Sequence, residues 1–259
     1  MTGISGGLII LQARDRKLLS ELGTMRVIDR EQAKLVAGFG STTRANTRLL
    51  ALTRSGFLKR IFIGTITSGR KAVYGLSPKG ASEVQVALPK IRLKQDYTVL
   101  GNSPLEHQSQ INSLYLAVKF LQIPFPGVQF RRWITVTEPL SKSIPLIPDG
   151  YFELQTPSGI RATFLEVDLG TEALPVWEKK IQFYLQLALS GEFARLFRNP
   201  QFRVLVVLHS ERRLENLRRL VAKKTDKIFW FSTLEAINRD SLWSSVWLRP
   251  TGNQTQSLL

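Results

Sequence analysis

Cysteine is absent from this chain of 259 residues. Its absence excludes disulfides, thiolate zinc sites and cysteine nucleophiles, and it fits a reducing, cytoplasmic setting. Histidine is scarce, with two in the chain, so no histidine cluster can hold a metal beside a nucleophilic tyrosine. Relaxase-type chemistry is disfavoured on that ground. Long apolar runs are missing too. Val204–Leu208 is typical of the longest, far short of the ~20 residues that cross a bilayer. Residues 1–11 have neither a basic start nor a cleavage-like tail, so no signal peptide is expected.

Acidic residues are outnumbered. The chain has 36 Lys and Arg against 20 Asp and Glu, a net charge of +16. Residues 1–90 carry 15 basic and five acidic side chains, and so hold +10 of that excess. A basic third of this kind points to a polyanion, with double-stranded DNA the expected partner. A merely basic, solvated surface is the alternative. The length and an apolar content of 43% allow one or two domains with a real core.

The first third reads as short helices followed by a hairpin. Leu18, Leu19 and Leu22 recur at helical spacing in a first helix that Gly23 is expected to end. Asp29 with Gln32 three residues on forms a capping box for a second helix that stops at Gly38. Ser41 caps a third helix, Thr42–Arg54, with Ala45, Leu49, Leu50 and Leu52 apolar. Two β-rich runs then flank a basic turn at Ser68-Gly69-Arg70-Lys71. This order predicts a winged helix-turn-helix over residues 1–90. In such a module Thr42, Thr43, Arg44, Asn46, Thr47 and Arg48 of the third helix would meet bases or phosphates. Arg70 and Lys71 at the hairpin tip would meet phosphate or the minor groove. Use of the module for protein contacts is the competing reading. A homodimer is a further expectation. Residues 91–104 read as a linker.

From residue 105 the pattern changes to helix, three strands, helix, strand, helix, strand, an α/β layout within an α+β chain. The predicted domain covers residues 105–250, and the polar tail 251–259 is expected to be disordered. Asp149 opens one strand, and Glu166 and Asp168 stand two apart on the next, on one face. Three unneutralised carboxylates repel one another, and a Mg²⁺ or Mn²⁺ ion would relieve that. Such an ion would serve phosphodiester chemistry. Trp177, Lys180, Ile181 and Tyr184 share a face of the following helix. Lys180 would steady charge on a phosphate, and Tyr184 would hydrogen-bond it. The competing reading makes Asp149 a turn residue, Glu172 a helix cap and Lys180 the ion-pair partner of Asp168. Glu106 and His107, at a helix start, are further candidates for a ligand or phosphate contact. The helix Glu211–Lys224 is basic and amphipathic, either another DNA surface or a solvated face.

The order of elements resembles the core of PD-(D/E)xK restriction-endonuclease-like nucleases. That resemblance implies a mixed central sheet, a metal held by Asp149 and Glu166, and a lysine two residues after the glutamate. Asp168 stands there instead, and the resemblance allows Lys180 to supply the lysine from the helix. Over residues 14–248 the chain also resembles the plasmid replication-relaxation family. The resemblance rests on His107, Pro148-Asp149-Gly150, Glu166-Val167-Asp168-Leu169-Gly170-Thr171-Glu172, Lys180 and Tyr184. It implies work in plasmid replication, DNA relaxation or mobilisation. Two functions follow as expectations. One is a DNA-guided, metal-dependent endonuclease or nickase. The other is a non-cutting accessory factor or transcriptional repressor. A weaker third is recruitment of a replication, transposition or mobilisation protein.

Overall fold

The computed structural model describes residues 9–64, 70–88 and 104–259. The chain divides into two compact units, Met1–Leu116 and Ala117–Leu259. The turn residues Ser68 and Gly69 and most of the expected linker lie outside the described residues.

In the first unit, α1 (Ala13–Met25) buries Leu18, Leu19, Leu22 and Met25. It runs through Gly23, where the sequence placed its end, and closes at Arg26 with φ 63. A three-residue strand follows, β1 (Val27–Asp29). The predicted capping box is present at α2 (Arg30–Ala37): Gln32 backbone N–H donates to the Asp29 carboxylate at 2.8 Å, and the Gln32 side-chain Oε1 accepts from Asp29 backbone N–H at 3.2 Å. Ser41 caps α3 (Thr42–Arg54), accepting from Arg44 N–H. Then come β2 (Leu58–Gly64), β3 (Arg70–Leu76) and α4 (Pro78–Glu83). The strands form an antiparallel sheet in the order β1-β3-β2.

The helix α5 (Pro104–Lys119), which the sequence assigned to the second domain, packs through most of its length on the first unit. Asn112 is buried and donates to the carbonyls of Met25, at 3.0 Å, and Val27, at 2.6 Å. Gln32 donates to the Ser109 carbonyl, and Leu105 joins Val27, Ile63 and Val73 in one apolar cluster. Asn112 thus satisfies buried carbonyls at the end of α1 and in β1, which would otherwise cost about 1–3 kcal/mol each. An apolar-periodicity reading cannot register such a contact.

The second unit is built on a five-stranded mixed sheet, ordered β4-β5-β6-β7-β8. Its strands β4 (Gln129–Ile134), β5 (Gly150–Thr156) and β6 (Gly159–Asp168) form an antiparallel meander. The helices α6 (Leu174–Leu189) and α7 (Glu192–Phe197) carry the chain to β7 (Phe202–Leu208), parallel to β6. Next, α8 (Glu211–Ala222) carries it to β8 (Phe229–Thr233), parallel to β7, and α9 (Leu234–Asp240) follows. Parallel neighbours need such crossovers, and helices supply both. One face of the sheet, with Phe164, Val204, Val206, Leu208, Phe229 and Phe231, is buried in a core shared with Trp177, Ile181 and Tyr184 of α6 and Leu214 and Leu217 of α8. Among the described residues the architecture is mixed α+β, with two open sheets and no barrel.

The C-terminal tail is ordered rather than disordered. Trp247 and Gln256 exchange backbone hydrogen bonds at 3.1 and 2.8 Å. Leu258 is buried, and its carbonyl accepts from Arg203. Buried Arg218 of α8 donates to the carbonyls of Arg249 and Gly252. Tail carbonyls thus satisfy arginines of the domain body, although the tail's own sequence is polar.

Candidate functional site

Glu166 and Asp168, at the end of β6, project toward α6 and are almost fully buried, at 1% and 2% exposure. Burying a charged carboxylate costs several kcal/mol unless it is paired and hydrogen-bonded. The two are satisfied in different ways.

Glu166 accepts from Lys180 Nζ at 2.8 Å on one oxygen and from the Tyr184 hydroxyl at 2.6 Å on the other. Lys180 also donates to Glu172 at 2.8 Å. Asp149 directly precedes β5 and accepts the Val167 N–H at 2.7 Å, which ties it to β6 between Glu166 and Asp168. Gly150 lets the strand begin there: a Cβ would lie 2.5 Å from the Trp133 ring. Burial, helped by the charge of Asp149, pushes the Glu166 carboxyl up to about 7 against the pull of Lys180 and Tyr184. Burial works to lower Lys180, but Glu166, Glu172 and Asp149 outweigh it and hold the ammonium above its usual range. Burial, reinforced by Glu166, also raises Tyr184, so its hydroxyl stays a donor.

Asp168 forms a separate latch. One oxygen accepts from Trp177 Nε1 at 2.8 Å and from Arg213 Nε and Nη2 at 2.9 and 2.7 Å. The other accepts from Gly170 N–H at 2.6 Å. Arg213 also donates to the Glu172 carbonyl. Gly170 has φ +89, and a Cβ there would meet the His209 ring at 2.5 Å, so the turn after β6 closes tightly on His209.

This arrangement corrects two expectations. Asp168 stands apart from Asp149 and Glu166 in its partners, because Arg213, far along the chain on α8, pairs with it. Lys180 pairs with Glu166 and Glu172 rather than with Asp168. Glu172, read from sequence as a cap, is the third carboxylate around Lys180. Among the described residues, no three His, Cys, Asp or Glu side chains stand close enough to hold a metal. Asp149, Glu166 and Glu172 all act on the single Lys180 ammonium. Of these, Asp149 and Glu166 come from adjoining strands, and the charge of Asp149 bears on Glu166.

In the first unit, Thr43, Arg44 and Thr47 are exposed on α3, while Thr42 and Asn46 are half-buried. Thr42 donates to Glu31. Arg48 is committed inward: it pairs with fully buried Asp15 at 2.5 Å and donates to the Ile10 carbonyl. It fastens α3 to α1. A cavity of about 310 Å³ lies beside it, lined in part by Arg14, Phe39, Arg44 and Thr47. Arg14 stacks on Phe39 at 5.0 Å. It opens toward α3 although it starts α1, so no reading of the α3 face alone could find it. Arg70 and Lys71 lie on β3 and are exposed, with Lys71 paired to Asp29 at 2.5 Å. Glu106 and His107 sit in the first turn of α5, on the first unit, whereas the carboxylates belong to the second.

A mixed five-stranded sheet with carboxylates and a lysine at the end of its third strand defines an α+β protein with an acid–lysine site. The replication-relaxation family model matches residues 19–199, spanning α1 to α7 and every residue of that site. The chain belongs to the replication-relaxation family. Neither the curated proteins nor the solved structures gave a match.

Proposed function

We propose that the protein binds double-stranded DNA in plasmid replication or relaxation and acts on its phosphodiester backbone through Asp149, Glu166 and Lys180. Membership of the replication-relaxation family supports the setting. The observation that carries the chemistry is the convergence of Lys180 and Tyr184 on buried Glu166, with Asp149 from the adjoining strand. The meander β4–β6 followed by two crossovers is the order expected of a restriction-endonuclease-like core.

Each side chain has a distinct task. Tyr184 holds one oxygen of Glu166 in place. Lys180 brings a positive charge to the site's edge, where charge develops on a phosphate under attack. The Val167 N–H orients Asp149. A bound Mg²⁺ or Mn²⁺, held by Asp149 and Glu166, would supply neutralisation of phosphate charge and a more acidic water. The first unit serves as a winged helix-turn-helix, with Thr43, Arg44 and Thr47 on its reading helix and Arg14 and Arg70 beside it on phosphates.

A second reading, a non-cutting accessory factor, rests on Glu166 being 1% exposed with both oxygens hydrogen-bonded. Supercoiled plasmid separates the two. Metal-dependent nicked or linear product, lost in Glu166→Gln, supports the first. A salt-sensitive gel shift with intact plasmid supports the second.

A further inference from the structure

The face of the sheet opposite the acid–lysine site carries an arrangement that this chemistry does not use. Trp230 of β8 lies between two guanidiniums, Arg203 of β7 at 5.0 Å and Arg249 at 4.6 Å from its ring centre. Arg203 is opposite Thr163 in the β6–β7 register, so Arg161, two residues earlier on β6, shares its face. All four side chains are half-buried.

Among the described residues, no carboxylate stands within ion-pair distance of Arg161, Arg203 or Arg249. Arg203 donates to the Leu258 carbonyl, Arg249 to the carbonyls of Asp226 and Lys227, and Arg161 to the Ser158 hydroxyl at 3.4 Å. The charge of Asp226 acts on Arg249 without an ion pair between them. Burial, with Arg161 and Arg249 beside it, drives the Arg203 guanidinium down to about 10. The adjoining 223–227 loop adds exposed Lys223, Lys224 and Lys227. Half-buried arginines normally acquire anionic partners, because their mutual repulsion is costly in a low dielectric. Here no described residue supplies that anion.

We propose that Arg161, Arg203 and Arg249, arranged around Trp230, form a sequence-independent binding surface for the phosphate backbone of DNA. Guanidinium groups suit phosphate through planar, paired donors. The net charge of +16 favours a polyanion, and a backbone offers phosphates in series, as three spaced arginines require. The choice of DNA over an acidic protein rests on the function proposed above. The surface lies on the other face of the sheet from Glu166 and toward the other end of the strands, so it would hold DNA without entering the acid–lysine site.

The test measures binding of the full chain to a random-sequence duplex across a salt series. It compares wild type, Arg161→Gln, Arg161→Gln/Arg249→Gln, the matching Lys variants, and Arg44→Ala. The Gln variants should weaken binding several-fold on every duplex sequence and lower the salt slope by about 0.9 per lost phosphate contact. The Lys variants should keep most of that slope. Thermal melts check folding, and Arg161→Gln, which gives up only a long contact to Ser158, is the cleaner variant. An unchanged slope in folded Gln variants overturns the proposal, as does a wild type that binds no duplex. Equal displacement by polyglutamate at matched charge would assign the surface to an acidic protein and overturn it as well. If Arg44→Ala changes nothing while the Gln variants weaken binding, the first-unit reading fails and this one stands.

Discussion

Replacing Asp168 with Asn tests whether this carboxylate is a latch or a ligand. One of its oxygens serves Trp177 and both Arg213 donors, and the other serves Gly170 N–H. An amide keeps one acceptor, so its NH₂ must face either Gly170 or the Trp177–Arg213 pair, donor against donor. Breaking a buried ion pair costs about 3–5 kcal/mol. The Arg213 side chain is 15% exposed and regains some water, which places the loss near 3 kcal/mol. For a unit of this size that lowers Tm by roughly 6–12 °C. Calorimetry of wild type, Asp168→Asn, Arg213→Met and the double variant measures it, and the double variant should melt close to Arg213→Met alone. An Asp168→Asn protein melting within about 1 °C of wild type would refute the latch and return Asp168 to the candidate ligands.

Three further outcomes are expected. The Glu166 carboxyl sits above its usual 4.5, so the folded state holds its proton more tightly than the unfolded chain does. Its contribution is full below about 4.5 and is lost as pH rises through about 7. Glu166→Gln should therefore flatten the fall in Tm across that window, and an unaltered pH profile would contradict the assignment. Arg48→Ala strands buried Asp15 and should cost the first unit about 3 kcal/mol in urea unfolding; an unchanged midpoint would free Arg48 for DNA contact. Deleting residues 251–259 removes buried Leu258 and the acceptor for Arg203, and should cost about 2 kcal/mol by thermal melt. No loss would mean that the tail does not pack.

Much of the fold was legible because local rules govern it. β-rich and apolar runs marked the strands, the Asp29–Gln32 box and Ser41 marked helix starts, and spacings of three and four placed Trp177, Lys180 and Tyr184 on one face. The acid–lysine pairing was half legible. Glu166 and Lys180 meet, but Asp168 is claimed by Arg213, which lies on a different helix after another strand. Glu172 resembled a cap because its partner is visible only once α6 packs against β6. The placement of α5 turned on one buried asparagine, and the order of the tail on Arg203 and Arg218, contacts between positions remote in sequence. The arginine cluster around Trp230 was scattered over four segments and gave no signal until the sheet register aligned them.

The most direct test of the account sets Asp149→Asn beside Asp168→Asn on supercoiled plasmid, with Mg²⁺, Mn²⁺ or chelator, below the melting point of both. Wild type should cut in a metal-dependent manner, Asp149→Asn should lose that cutting, and Asp168→Asn should retain it. Cutting that survives Asp149→Asn but not Asp168→Asn, or plasmid left intact by wild type with either metal, would contradict it.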